Sequence, residues 1–313
     1  MRSPHLLMLS GIGPKDTLNA NDIPVVSALE GVGQSMHDSC AIGGPTFRMS
    51  TPTSSSFEED PASLAEAEEM LLTNASAPLT NMGADFYAWE KLPEAYRTNF
   101  SEATREAYGQ WPDDWPEIEI ALSPSSDSPF SDEAGGEEGA LYGSINIILV
   151  ATVSRGNITI NSSSVSDQPI ISTNWLSDPA DQEVAMAAYR RARDILQHIG
   201  ARVGDEIYPN ATVFHDDAML LEFIKSEGVN PIHHASSTNR MGKQGDEMAV
   251  VDSHGRVFGV QGLRVVDSSS FRHTPPGHTQ ATTYMQAEKL VADIIADAGS
   301  YGGGNPSNSS NAG

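Results

Sequence analysis

The sequence predicts a mixed α/β protein, and three stretches carry that prediction. Residues 144–153, SINIILVATV, hold a near-continuous apolar run of Ile145, Ile147, Ile148, Leu149 and Val150. Such a run suits a strand buried on both faces. Val184, Ala188, Ala192, Ile195 and Ile199 recur at helical spacing and form one apolar stripe. Residues 263–298 join a short apolar strand, LRVVD, to a second helix across Pro275-Pro276-Gly277. A length of 313 residues suggests about two domains, and a hydrophobic content of 39% suffices for a sizeable core.

Taken in order, the chain opens on MRSPHLLMLSGIGP, a short helix from Pro4 to Leu9 stopped by Gly11. IPVVSAL (23–29) is strand-like, and EGVGQSMHD (30–38) is a loop. ASLAEAEEMLL (62–72) is helical. A Trp-, Pro- and acid-rich stretch follows (109–122), and then an exposed loop (123–139). GNITI (156–160) is a further β-type run. The helix bearing the 184–199 stripe takes Ser177 as N-cap, has Pro179 in its first turn and ends at Gly200. Residues 216–228 form a short helix. The tail 299–313 is too rich in Gly, Ser and Asn to pack, and disorder is expected there.

Composition excludes several functions. Eighteen Lys and Arg against 42 Asp and Glu give a net charge of −24. Such a surface repels phosphate backbones and anionic lipid, so neither nucleic acid nor membrane is an expected partner. No apolar run approaches the roughly 20 residues of a membrane helix. Cys40 is the sole cysteine, which rules out an intrachain disulfide and a cysteine metal cluster. The opening apolar run is too short for a secretory signal. Six Asn-x-Ser/Thr sequons, at Asn74, Asn99, Asn157, Asn161, Asn210 and Asn308, point instead to a secreted ancestry.

The chemistry-bearing stretches crowd toward the C-terminus: HHASSTNRMG (233–242), AVVDSHGRVFGVQGLRVVDSSS (249–270) and FRHTPPGHTQATTYMQ (271–286). The strand LRVVD ends in a polar turn at Asp267. Pro275 and Pro276 impose an extended approach, and a helix starts near Thr279 with Ala281, Met285, Lys289, Ala292 and Ile295 in periodic positions. His278 therefore stands at a helix N-terminus, where free N–H groups and the dipole favour an anion. On spacing alone it is either a residue of the cap region or a participant in redox or acyl-transfer chemistry. His233-His234 is either polar surface or a site pair. No Asp, Glu or His lies at helical ligand spacing from it, so no metal is expected. The Ser-rich neighbourhood lacks a G-x-S-x-G elbow, which weakens a hydrolase reading.

These stretches resemble the glucose–methanol–choline (GMC) flavin oxidoreductases, and especially their fungal branch. RSPHLLMLSGIGP is similar to a signature that lies mid-chain in that family, and GVGQSMHD to the loop after it. HASSTNRMG and the run from MAVVDSHGRVFG to QAEKLVADI resemble the family's closing segments. SRGNITI and WLSDPADQEVAMAAYRRARDI fit its substrate domain. The resemblance implies FAD as cofactor and a small-molecule alcohol as substrate. It places His234 and His278 on the two catalytic positions. One histidine takes the alcohol proton while a hydride leaves to the flavin, and the other hydrogen-bonds the substrate oxygen. Asp267, Ser268, Gly277, His278, Thr279 and Gln280 fall on cofactor-contacting positions. Ser237 stands where the family usually has Gly, and Asn239 where it usually has Cys.

The resemblance also implies an arrangement. Residues 1–43 and 233–299 form a partial FAD-binding, Rossmann-like domain. Residues 44–232 form a substrate-binding domain with an antiparallel or mixed sheet and helices, and 300–313 are a tail. The dinucleotide fingerprint G-x-G-x-x-G is absent: Gly11-Ile12-Gly13 is followed by Asp16, and Gly31-Val32-Gly33 by Met36. The expectation is a chain that starts inside the family's flavin domain, with the remaining half or a partner chain supplying the grip. It leaves an uncovered apolar patch near Leu263, Val265, Met285 and Leu290. Three functional readings stand: hydride transfer from an alcohol to flavin, an incomplete or partner-completed homologue, and a flavin-dependent cyclisation without net redox change.

Overall fold

A computed structural model describes residues 1–50, 61–76, 78–80, 86–123, 141–209 and 216–302. All of the loop expected at 123–139 except Ser123, the sequons at Asn210 and Asn308, and the tail from 303 onward lie outside the described residues; Ser123 is not loop but the buried last residue of the strand Ile118–Ser123. Residues 299–302 belong to the last helix, Gln280–Gly302, and not to the tail. Among the described residues no helix is long and apolar enough to cross a membrane.

The chain divides into two compact units. The first comprises Met1–His37, Gly156–Thr173 and Ala235–Gly313; the second comprises Asp38–Arg155 and Asn174–His234. The cuts differ from the boundaries read at 43/44 and 232/233, chiefly because 156–173 joins the first unit. The reason is backbone pairing. Ile158 N–H donates to Gly33 at 2.7 Å, Gly156 and Met36 exchange bonds at 2.9 Å, and the strand Asn157–Thr159 pairs with Ile170–Ser172.

The second unit is built on a seven-stranded sheet in which every pairing is antiparallel. Its central strand is Tyr142–Leu149, the apolar run of the sequence. On one side it pairs with Ile118–Ser123, which pairs in turn with Phe86–Glu90. On the other side it meets Thr46–Met49 and Cys40–Ala41. Arg202–Tyr208 and Asn230–Pro231 complete the sheet. Strand alternation sends Ile145, Ile147 and Leu149 to one face. There they share a core with Ile118, Phe47 and the helix residues Val184, Ala188, Tyr189, Ala192 and Leu196. That helix is Pro179–Leu196. Its N-cap is Asp178, not Ser177, because the Asp178 carboxylate accepts the Ala180 N–H at 2.8 Å, and Pro179 needs no partner at the first helical position. The helix ends at Leu196, before Gly200. The short helix expected at 216–228 is present as Asp217–Phe223, capped by Asp216, and then widens into a π turn, Ile224–Gly228.

The first unit opens with the helix Arg2–Leu9. The strand read at 23–29 shrinks to Ser27–Ala28, paired in parallel with Ile12–Gly13. Leu7, Met8, Ile12, Leu18, Val32, Ile160, Val250, Val251, Val257 and Val265 form its core. LRVVD is not a strand. Residues 241–264 make only single bridges, such as Val251 with Val257 and Arg256 with Arg264. Gly255, Gly259 and Gly262 all have φ between 71° and 75°, and each such turn breaks the extended backbone a ladder needs.

The last helix also corrects the sequence reading. The periodic positions Met285 and Ile295 are each 67% exposed, whereas Leu290 is 0% exposed and Val265 is buried. Of the patch expected near Leu263, Val265, Met285 and Leu290, Met285 is exposed and Val265 and Leu290 are not. Polar anchors set the inward face: Gln286 donates to Ser270 Oγ at 2.5 Å, Asp293 pairs with His254 at 2.9 Å, and Asp297 takes both Arg256 and Arg264.

Candidate functional site

Within the first unit, four stretches far apart in sequence are stitched together by main-chain hydrogen bonds. Gly33 N–H donates to Thr238 at 2.7 Å, and His37 and Ser236 exchange bonds at 3.2 and 2.9 Å. Ser237, Asn239 and Met241 then donate in succession to Ser268, Ser269 and Ser270 at 3.1, 2.7 and 3.1 Å. The loop 31–37 and the turn 268–270 thus flank the segment 236–241. The Ser3 hydroxyl brings in the opening helix by donating to Asp267 Oδ2 at 2.6 Å. Ser236 Oγ and Thr274 Oγ1 are hydrogen-bonded, which fixes the approach to Pro275, Pro276 and His278.

Asp267 caps the 3-10 turn Ser268–Ser270 through Oδ1, which accepts Ser269 N–H at 2.8 Å. With Oδ2 on Ser3, both carboxylate oxygens accept bonds inside the unit, and the Asp267 carbonyl accepts the Ser270 N–H at 3.0 Å and its hydroxyl at 2.8 Å. Ser268 is half-buried. Gly277 is buried with φ 97°, His278 is exposed, and Thr279 is buried beside the start of the helix at Gln280, which is exposed. Thr283 donates to the Thr279 carbonyl through both N–H, at 2.9 Å, and Oγ1, at 2.8 Å. The helix therefore starts where the sequence indicated, and the N–H groups of its first turn stand outside the intrahelical ladder.

Ser237 has φ 64°. That left-handed region explains a preference for glycine at this position, since a β-carbon there is strained. Asn239 is fully buried; its amide donates to Ser269 Oγ at 2.9 Å, while its Oδ1 has no partner among the described residues.

In the second unit, His234 is half-buried and follows His233, whose φ is 61°. Asp38 lies against this corner, and its carboxyl accepts the His234 N–H. Burial pushes the Asp38 carboxyl up to about 6, against the opposing pull of that hydrogen bond, the nearby His233 and the Trp175 indole. The indole Nε1 also donates to the Asp38 carbonyl at 3.2 Å. Sequence reasoning gave no role to Asp38, Trp175 or Thr274. Asp38 closes the quoted GVGQSMHD loop, Trp175 opens the quoted WLSDPADQEV stretch and Thr274 lies in the quoted FRHTPPGHTQ stretch; nothing local marks any of the three individually. His234 belongs to the second unit, and His278 with Asp267, Ser268, Gly277, Thr279 and Gln280 to the first.

A family model described as GMC oxidoreductase matches residues 152–287. The chain is 42% identical over 299 residues to the dehydrogenase pkfF of Emericella nidulans, covering 94% of this chain and 48% of that protein. It is 40% identical over 301 residues to the versicolorin B synthase stcN of the same organism, covering 95% and 45%. The chain thus spans about half the length of the curated relatives it matches. Among solved structures, an FAD-dependent oxidoreductase from Chaetomium thermophilum superposes with a TM-score of 0.77 at 25% identity, covering 94% of this chain and 53% of that one.

Proposed function

We propose, on the premise that this chain belongs to the fungal GMC oxidoreductases, that it carries the catalytic end of an FAD-dependent enzyme oxidising an alcohol by hydride transfer. The family membership rests on the family-model match and the fungal relatives. The setting is fungal secondary metabolism or the oxidation of secreted alcohols and sugars. The observation that carries the reading is the assembly of segments 31–37, 236–241, 267–270 and 274–280 into one hydrogen-bonded framework. It holds together the stretches that resemble the family's flavin-contacting segments.

The residues fit one part of FAD and not another. The turn at Gly277 and the first turn of the helix Gln280–Gly302 offer main-chain N–H groups and a dipole to a flavin edge that becomes negative on reduction. The glycine pairs near the N-terminus do not suit a pyrophosphate. A β-carbon on Gly31 would lie 2.2 Å from the Met248 carbonyl oxygen, and one on Gly33 2.1 Å from that of Ile158. These glycines seat backbone against backbone. Among the described residues no glycine cradle takes the diphosphate, so the dinucleotide grip is assigned to the other half of the family's fold. When bound, FAD supplies the acceptor for two electrons and a hydride. In this reading His234 accepts the proton of the substrate hydroxyl, and His278 hydrogen-bonds the substrate oxygen and orients the carbon that is oxidised.

The test adds FAD to the purified chain, alone and mixed with the remaining half of the pkfF dehydrogenase, and follows flavin absorbance on anaerobic addition of alcohols. Alcohol-dependent bleaching in either sample, reduced 10²- to 10⁴-fold by His234→Ala and by His278→Ala, supports the reading. Product formed without bleaching sinks it in favour of a cyclisation without net redox change. No bleaching and no product in both samples favours an inactive homologue.

A further inference from the structure

Asp38 is a buried titratable group at the His234 corner to which the reaction above gives no task. It is 6% exposed. It precedes by two residues the strand Cys40–Ala41, whose partner Asn230–Pro231 leads directly into His233 and His234. Sheet pairing therefore delivers the two histidines to the Asp38 side chain. His233 sits at φ 61°, a region that a β-carbon disfavours and that surrounding structure must over-determine. The bond from the following N–H to Asp38 supplies that restraint. The second carboxyl oxygen, Oδ1, is buried with no hydrogen-bond partner among the described residues. Trp175 immobilises the Asp38 main chain from the other side. The titratable groups acting on Asp38 are few: the imidazole of His233, which favours its charged form, and the buried thiol of Cys40, which Asp38 and Asp181 both disfavour as an anion.

We propose that Asp38 is a positioning residue for His234: its carboxylate holds the strained His233–His234 corner and so directs the His234 imidazole, and protonation relaxes that hold. The inference rests on the reading of His234 as proton acceptor. The hold is strongest when the carboxyl is charged, because a charged acceptor bonds an N–H more tightly than a neutral one. The raised pKa puts the change near pH 6. The sign for stability is the opposite one. A carboxyl whose pKa rises on folding favours the folded state below its unfolded value, and that contribution is lost as pH rises through about 6. Asp38 thus keeps a charged acceptor under His234 at the expense of stability.

The experiment follows the His234 main-chain N–H by NMR in the full chain from pH 4.5 to 8, with the imidazole Cε1–H recorded separately so that the ring's own titration is subtracted. The expected result is an inflection of the N–H near pH 6 that Asp38→Asn abolishes. Absence of the inflection, or its survival in Asp38→Asn, overturns the proposal. If Asp38→Asn does not fold, the inflection in the parent chain decides. In the alcohol assay described above, Asp38→Asn is expected to lower kcat at least tenfold while KM stays within about twofold, and an unchanged kcat overturns the positioning role. A parent chain that shows the inflection but never bleaches flavin supports the link between Asp38 and His234 and sinks the reading of the reaction.

Discussion

Removing the carboxylate of Asp181 should unfold much of the second unit. Asp181 is 0% exposed. It sits in the first turn of the helix Pro179–Leu196, where the dipole favours an anion. Oδ1 accepts the Tyr108 hydroxyl at 2.7 Å and the Val153 N–H at 2.8 Å, and Oδ2 accepts the Ser154 N–H at 2.7 Å. This one carboxylate joins the helix to the segment that leaves the central strand and to the helix Glu102–Tyr108. Burial lowers the pKa of Arg155, and the charge of Asp181 works against that shift. Asp181→Ala leaves three buried donors without an acceptor. At about 1–3 kcal/mol for each group so orphaned, the loss is about 5 kcal/mol, close to the whole stability of a small domain. Asp181→Asn keeps the shape and one acceptor oxygen and should cost about half as much; Tyr108→Phe removes a single donor and should cost about 1 kcal/mol. Trp89, Trp111, Trp115 and Trp175, the four tryptophans of the chain, all lie in the second unit. Tryptophan fluorescence during urea unfolding, excited where tyrosine does not absorb, therefore reports this unit alone. With a slope of about 2 kcal/mol per M, Asp181→Ala should move the midpoint down by about 2.5 M. A shift of less than about 0.5 M would refute the claim that these donors depend on the carboxylate.

Two further expectations concern the first unit. Gly33→Ala places a methyl group 2.1 Å from the Ile158 carbonyl oxygen at φ 80°, whereas Gly262→Ala meets nothing within 4 Å at φ 75°. The first should abolish the thermal transition of the unit, and the second should cost only the left-handed strain of about 1–2 kcal/mol, both measured by circular dichroism melting. Leu290→Ala, at a fully buried position, should cost about 2–5 kcal/mol. Met285→Ser and Ile295→Ser, at exposed ones, should leave the melting temperature within a degree or two and reduce self-association in sedimentation velocity.

Much of this protein is legible in its residues, and what is legible is local. The stripe from Val184 to Ala192 is a helix in the structure because 3.6-residue periodicity is a property of one segment. The run from Ile145 to Leu149 is the central strand because its apolar content suits burial whichever neighbours it acquires. The stretches that resemble GMC signatures could likewise be read in sequence order, and with them the resemblance to that family. Other features depended on groups distant in the chain. The last helix has an apolar stripe, yet Gln286, Asp293 and Asp297 turn its polar side inward, because Ser270, His254, Arg256 and Arg264 wait there to bond them. LRVVD has the composition of a strand but acquires no ladder, since three left-handed glycines prevent its neighbours from staying extended. Asp38 and His234 are 196 positions apart (234 − 38) and meet only because the strands Cys40–Ala41 and Asn230–Pro231 pair. Propensity and periodicity act over one or two turns of chain. The direction a face turns, and the carboxylate a histidine leans on, are set by contacts whose partners no local pattern encodes.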